Sequence, residues 1–100
     1  MFKVGKLYIC EEYFLLLFPD PETASLAALR LYLFAAPQGA VTAATADAWS
    51  NRFGKPVLYA KKNIPLLSLN NKEKYVEVLA GDRKGWIIVE DWLGIKEIVV

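Results

Sequence analysis

The chain has 100 residues, a common size for one domain and too short for two. Its composition, 55% hydrophobic and 23% charged, excludes disorder over the chain as a whole. The formal net charge of +1, from 12 basic and 11 acidic residues, argues against nucleic-acid binding driven by overall charge. The apolar fraction is high for a free monomer, which favours a subunit interface.

The numbers of histidine and cysteine residues limit the kinds of catalytic and metal site that the chain can form. The chain has no histidine, which removes the usual general base and the commonest metal ligand. Its one cysteine, Cys10, excludes an internal disulfide and is typical of a reducing compartment, so we expect a cytoplasmic protein. Because Cys10 lies in an apolar run, we predict a buried, inert thiol. We expect no export signal and no membrane span, since charged residues, proline and glycine interrupt the apolar region 24–49.

Residues 2–18 predict a β-hairpin. Strand-forming residues precede Glu11 and Glu12, which supply a polar turn, and 13–18 returns as the second strand. The returning run is apolar at every position, which indicates burial on both faces. We expect the segment that follows to cover its outer side.

The residues Asp20, Pro21 and Glu22 are typical of a helix start. They supply an N-cap acceptor, a proline at the first helical position and an acidic group near the positive end of the dipole. A helix is predicted over 23–36, which is rich in alanine and leucine. Its apolar face would carry Leu26, Leu29 and Leu33. Alternation within 29–34 also fits a strand, so both assignments stay open there, with helix preferred.

A second helix is predicted over about 43–53. Thr42 is its expected N-cap, and Gly54 its C-terminal stop. Trp49 and Phe53 are four residues apart, so they share a face that we expect to pack on the sheet.

From residue 55 onward the pattern is β throughout. Strands are predicted over 57–60, 65–69, 75–80, 86–89 and 95–100. The pair Asn70-Asn71 is expected to end the second of them, and 81–85 to form a turn. Alternation places Val76 and Val78 on one face. Residues 91–94 predict a single tight helical turn.

The stretch 75–98 resembles the end of an SH3 or bacterial SH3-like domain. In that family a strand turns over a short polar loop, returns through a Gly-Trp pair, makes one 3₁₀ turn ending in an aromatic residue and closes the barrel with a short strand. The corresponding segments are 76–79, Gly85-Trp86-Ile87, Asp91-Trp92-Leu93 and 95–99. The resemblance implies an α+β fold, a small SH3-like β-barrel of about six or seven strands. One or two helices are inserted at roughly 21–53, in a single domain over 1–100.

Polyproline binding is not implied by this resemblance. SH3 domains with that activity carry a strand with a tyrosine pair, tandem tryptophans and a proline after the returning strand. Residues 5–12 lack the tyrosine pair, no two tryptophans are adjacent, and Ile88 stands where the proline would fall.

Four aromatic residues are the candidate partner-binding residues: Tyr59, Tyr75, Trp86 and Trp92. On an exposed barrel rim they would anchor a peptide or stack on bases. In the second interpretation, each of them fills the core or covers the barrel end, which is the commoner role of such residues. Trp86 is the preferred surface anchor, because the SH3 likeness implies that the residue after that glycine lies near the rim.

No residue pattern indicates catalysis. The carboxylate pairs are Glu11-Glu12, Asp20 with Glu22, and Glu90-Asp91. Adjacent carboxylates on a strand point to opposite faces, and turn solvation and helix capping account for all three pairs. The basic pairs Lys61-Lys62, Lys72 with Lys74, and Arg83-Lys84 have acidic neighbours and are interpreted as solvated turns. We therefore predict no enzyme, no cofactor, no metal and no small-molecule substrate.

Three hypotheses for function remain. The first is a non-enzymatic protein-binding or assembly module. The second is a self-associating structural subunit, for example a small phage or bacterial assembly component, that meets its copies through 26–34. The third, disfavoured by the balanced charge, is a nucleic-acid-binding SH3-like barrel that uses the basic turns.

Overall fold

The structure is a computed structural model that describes residues 2–29 and 34–99. Within those ranges it contains eight strands, two α-helices and one 3₁₀ turn. In chain order these are β1 (Leu7–Ile9), β2 (Phe14–Leu17), α1 (Pro21–Ala28), β3 (Ala35–Ala36), α2 (Gly39–Phe53), β4 (Leu58–Ala60), β5 (Leu66–Lys72), β6 (Tyr75–Ala80), β7 (Arg83–Ile88), the 3₁₀ turn (Asp91–Leu93) and β8 (Lys96–Glu97). The α+β class is therefore confirmed.

The strands form two antiparallel sheets that are not closed into a barrel. One sheet has the order β7-β6-β5-β1-β8 and the other the order β3-β2-β4. Among the described residues, the sheets are joined by an isolated bridge in which Phe18 and Trp86 exchange backbone hydrogen bonds of 2.8 and 2.7 Å. The predicted closed barrel is therefore wrong, because one bridge replaces the continuous ladder that closure requires.

The predicted hairpin over 2–18 is wrong as well. Leu7 of β1 pairs with Leu67 of β5, and Tyr8 with Glu97 of β8, whereas β2 lies in the other sheet between β3 and β4. The expected burial of the second strand is confirmed, because every residue from Leu15 to Phe18 is buried. Helix α2 packs on this strand, whereas α1, which follows it directly, packs on β7.

Helix α1 begins as its sequence predicts and ends earlier. The Asp20 carboxylate accepts a 2.8 Å hydrogen bond from the Thr23 amide, and Pro21 occupies the first turn. The helix ends at Ala28, and Ala35–Ala36 is a strand paired with β2, so the predicted extension to Ala36 is wrong. The open choice between helix and strand over 29–34 falls mostly on 30–33, which lies outside the described residues.

The buried face of α1 differs from the predicted leucine face. Thr23, Ala24 and Ala27 are buried, whereas Leu26 and Leu29 are 54% and 80% exposed. Small side chains let the helix approach β7 closely, so the alanine face is the one that packs. The third predicted position, Leu33, lies outside the described residues.

Helix α2 begins four residues before the predicted start. Its N-cap is Gln38, and Thr42, the predicted cap, is buried inside the helix with its hydroxyl donating to the Gln38 carbonyl at 3.2 Å. The early start brings Gly39 against the Phe14 ring, where an added Cβ would lie 2.9 Å from two ring carbons. The predicted stop is confirmed, since Gly54 adopts the left-handed conformation with φ 65°.

The C-terminal sheet follows its alternation closely. Strand β6 has the predicted bounds, and Val76, Val78 and Ile87 are buried in one core. Strand β5 continues through Asn70-Asn71, where the sequence predicts its end, as far as Lys72. Strand β7 begins at Arg83, because Gly81, with φ 66°, lets the chain reverse in two residues. The predicted 3₁₀ turn is confirmed, and the last strand is shorter than predicted.

Candidate functional site

An apolar groove lies beside the 3₁₀ turn. It has a volume of about 580 Å³ and brings together parts of the chain that are far apart in sequence. Its lining residues are Tyr13, Phe34, Ala35, Ala36, Pro37, Val41 and Trp92. None of these side chains is charged, and three of them are aromatic. Surfaces of this composition are typical of binding sites for apolar groups.

The 3₁₀ turn positions Trp92 at the surface. Leu93, the next residue, is fully buried, and its carbonyl accepts a 3.6 Å hydrogen bond from the Cys10 thiol beneath it. Gly94 ends the turn in the left-handed conformation, with φ 65°. These contacts fix the backbone directly after Trp92, whose side chain is left 47% exposed.

The aromatic rings of the groove contact one another. Trp92 meets Tyr13 edge to face, with ring centroids 5.4 Å apart and an interplanar angle of 88°. It meets Phe34 in a tilted arrangement at 5.5 Å and 48°. Both distances lie within the range at which aromatic pairs attract, so the rings hold each other in place. Pro37 and the half-exposed Val41, near the start of α2, also line the groove.

Acidic residues lie next to the groove in the chain. Glu12 precedes Tyr13, and Asp91 precedes Trp92; both are exposed. Their neighbours Glu11 and Glu90 form ion pairs with lysines, at 3.0 and 3.2 Å. Within residues 2–29 and 34–99, Glu12 and Asp91 belong to no ion pair. Neither residue lines the groove, and Asp91 lines a separate cavity together with Glu90 and Lys74. The two carboxylates are therefore neighbours of the groove in the chain, and its lining itself is uncharged.

The structure does not bring the four predicted site residues together. Trp92 lies in the groove, whereas Tyr59 is half-buried on β4, Tyr75 is half-buried near the start of α1, and Trp86 is half-buried on β7. Trp86, the preferred surface anchor, contributes its backbone to the bridge between the sheets. The sequence interpretation missed Tyr13 and the other lining residues, because no local signal connects the loop after β1 with the 3₁₀ turn.

The one thiol has the properties of a core residue. Cys10 is buried, and burial raises the pKa of its thiol above the ordinary value, ahead of a smaller opposing effect of backbone hydrogen bonds. A protonated thiol is a poor nucleophile and a poor metal ligand. Across the part of the chain that the structure describes, no three acidic or thiol groups come together in a way that could hold a metal ion.

Comparison with protein families, curated proteins and solved structures gives no match to this chain. Neither described helix has the length and apolar character needed to cross a bilayer. The function is therefore argued from the geometry of the surface itself.

Proposed function

We propose that the protein is a non-enzymatic binding module whose apolar groove takes an extended peptide with apolar and basic side chains. The observation that carries this proposal is the exposure of Trp92 between Tyr13 and Phe34, in a groove lined by uncharged residues. A tryptophan that is held rigidly and remains half-exposed loses little conformational entropy when a partner covers it.

The groove provides binding energy through burial of its aromatic rings. Aromatic residues in a preformed pocket are the residues that most often dominate peptide and protein interfaces. A volume of about 580 Å³ has room for a few side chains rather than for a folded partner. An extended segment inserted between the 3₁₀ turn and the start of α2 fits this space.

Two acidic residues next to the groove in the chain are the basis for the proposed charge of the occupant. Glu12 and Asp91 adjoin two of the three aromatic residues of the groove. A lysine or arginine that flanks the apolar part of a peptide would be attracted to them, whereas an acidic peptide would be repelled. Such exposed charges beside a binding surface contribute mainly to specificity and association rate.

We also propose a cytoplasmic protein built as one SH3-like domain over 1–100. The order of elements after β5 supports the relationship: a hairpin of β6 and β7, a 3₁₀ turn with an aromatic residue, and a short last strand. The open connection between the two sheets is the main departure from a barrel, and α1, β3 and α2 fall within the proposed insertion at roughly 21–53.

The test uses synthetic peptides that combine leucine and proline with either arginine or glutamate at the flanks. Binding to the ¹⁵N-labelled protein is followed by amide chemical-shift changes. We expect the arginine peptides to shift the amides of Tyr13, Phe34 and Trp92 saturably, and Trp92→Ala to abolish this. The control is Val4→Ala, since Val4 is 63% exposed and is not a lining residue of the groove. Equal binding by the glutamate peptides, or unchanged binding by Trp92→Ala, contradicts the proposal.

Self-association is a second candidate, favoured by the exposure of Leu26 on α1 and of Leu29 directly after the helix. If copies meet there, Leu26→Glu together with Leu29→Glu should convert an oligomer to a monomer in light scattering without lowering the thermal midpoint. A wild-type protein that is monomeric at all concentrations contradicts this candidate.

A further inference from the structure

A second surface, which differs from the groove in composition, brings cations and aromatic rings together. It consists of Tyr59 on β4, Phe14 on β2, Lys61 and Lys62 in the turn after β4, and Arg83 at the start of β7; we call this set the cationic corner. The sequence interpretation treated the two basic pairs as separate solvated turns. The fold brings them close, because Lys61 and Arg83 line one cavity of about 230 Å³ together with Tyr59 and Asp82.

Arg83 is held at the cationic corner by two contacts. Its Nη1 donates a 3.1 Å hydrogen bond to the Tyr59 carbonyl, and its guanidinium carbon lies 5.2 Å from the centroid of the Tyr59 ring. One of the five N–H donors is used in this way, so the guanidinium keeps donors for a further acceptor. Because Arg83 is already positioned, less side-chain entropy is lost when a ligand binds.

The lysine turn is fixed as well. The Asn63 amide donates to the Cys10 carbonyl at 2.9 Å, which ties the turn to the end of β1. The Lys62 ammonium lies 5.8 Å from the centroid of the Phe14 ring, and the Phe14 ring lies 6.4 Å from that of Tyr59. The rings therefore connect Lys62 to Arg83 across one continuous surface.

The cations of the corner are not neutralised by partners. The ion pairs of residues 2–29 and 34–99 involve Lys55, Lys74 and Lys96. Arg83, Lys61 and Lys62 take part in none of them. The one carboxylate that lines the cavity is Asp82, which is exposed in the turn between β6 and β7. The local charge is positive although the whole chain is nearly neutral.

We propose that the cationic corner is a binding site for a phosphate group. The guanidinium of Arg83 and the ammonium of Lys61 line the cavity, with Lys62 next to them in the turn, and they match the charge and the oxygen acceptors of a phosphate. The planar fork of Arg83 favours bidentate contact. The cavity is large enough for one such group. This proposal does not depend on the peptide groove, because the two surfaces share no lining residue.

The probe is inorganic phosphate at constant ionic strength, with sodium chloride as the replaced salt, and the readout is amide chemical shifts. We expect a saturable shift of the amides in the turns 60–63 and 81–83. The substitutions Arg83→Ala and Lys61→Ala should weaken binding by about tenfold, the value expected when a charged hydrogen-bond partner is lost. Arg83→Lys keeps the charge but loses the planar fork, and should weaken binding by about threefold.

The chain offers a matched control in Lys84. It carries the same charge as its neighbour Arg83, but successive residues of a strand point to opposite faces, and Lys84 pairs with Leu79 on the other face of the sheet. Lys84→Ala should leave phosphate binding within about twofold, since only long-range screened charge changes. Asp82→Asn removes the carboxylate of the cavity and should tighten binding by about threefold.

Thymidine 5′-monophosphate distinguishes two sources of the phosphate group. Affinity equal to that of inorganic phosphate assigns the site to free phosphate, and tighter binding assigns it to a nucleotide whose base packs on the corner. Both outcomes support the site. If chloride at equal ionic strength produces the same chemical-shift changes, the proposed phosphate site is wrong. It is also wrong if Lys84→Ala and Arg83→Ala weaken phosphate binding equally while both proteins keep the same thermal midpoint.

Discussion

The apolar groove and the cationic corner differ in chemistry and in the contacts that hold them in place. The groove is an uncharged aromatic surface with acidic neighbours, whereas the corner has cations lying over aromatic rings. Ring–ring contacts hold the groove, and cation–ring contacts hold the corner. Aromatic residues therefore contribute to two different surfaces on this chain, one with an uncharged lining and one with cations over the rings.

The two surfaces depend on one scaffold, and the closest packing between the sheets tests this dependence. A Cβ added at Gly85 of β7 would lie 2.7 Å from the Leu17 Cβ and 3.1 Å from the Phe18 carbonyl oxygen. We expect Gly85→Ala to lower the free energy of unfolding by about 2–3 kcal/mol, because a buried backbone contact must open. Chemical denaturation measures this change.

The same variant also tests whether the surfaces are independent of each other. We expect Gly85→Ala to lose phosphate binding and peptide binding at the same denaturant concentration. Survival of one surface after the other has unfolded would show that the two sheets are separate units.

The next largest effect separates the surfaces. Trp92→Ala should weaken peptide binding by about 2 kcal/mol or more, the value typical of a central aromatic residue in an interface. Phosphate binding at the cationic corner should not change. Calorimetric titration of one protein sample with both ligands measures the two effects, and a parallel loss of both would mean that Trp92 acts through the fold.

A change remote from both surfaces provides a reference for stability. Asp20→Ala removes the N-cap of α1 and the 3.0 Å ion pair with Lys55, and should cost about 1 kcal/mol of unfolding free energy. The hydrogen bond from the Thr23 amide, ahead of the contribution of Lys55, holds the pKa of Asp20 below its ordinary value. Because the folded pKa is the lower one, this stabilisation is present above the unfolded pKa and is lost as pH falls through the folded pKa.

The pH dependence gives this prediction a direct check. The stability difference between wild type and Asp20→Ala should shrink in acid, as measured by denaturation at a series of pH values. Ligand affinities at neutral pH should be the same in the two proteins. A difference that stays constant into strong acid would contradict the assigned role of the carboxylate.

The smallest expected effect is the salt dependence. Raising sodium chloride from about 50 to about 200 mM should weaken phosphate binding by about threefold, since exposed charges are screened over roughly 10 Å. Peptide binding should weaken less, because burial of aromatic surface supplies most of its free energy and salt screens only the neighbouring charges. Equal salt dependence at the two surfaces would remove the distinction between them.

Part of the candidate site could be recognised before the structure was known. The sequence predicts the 3₁₀ turn that carries Trp92, and a surface role is one of the two interpretations of this residue. Tyr13, Phe34 and Val41 are not predicted, since each belongs to a different element and the groove exists only after those elements pack. The corner was missed for the same reason, because Lys61 and Arg83 are 22 positions apart in the chain.

Features that depend on neighbouring residues were determined by the sequence alone. The N-cap at Asp20, the stop at Gly54 and the bounds of β6 follow from local hydrogen bonding, a positive φ and alternation, and the structure confirms them. The burial of Cys10 follows from its apolar run. In each case the deciding interaction lies within a few residues.

Strand partners were decided by the tertiary structure. The sequence of residues 7–9 and 14–17 is compatible with pairing to each other in a hairpin. In the structure, β1 pairs with β5 and β8, whereas β2 pairs with β3 and β4. Ala35–Ala36 has the composition of a helix and is a strand, in which pairing with β2 satisfies backbone groups. Backbone hydrogen bonds are the same for every residue type, so the sequence specifies that strands form, and only long-range packing selects which of them meet.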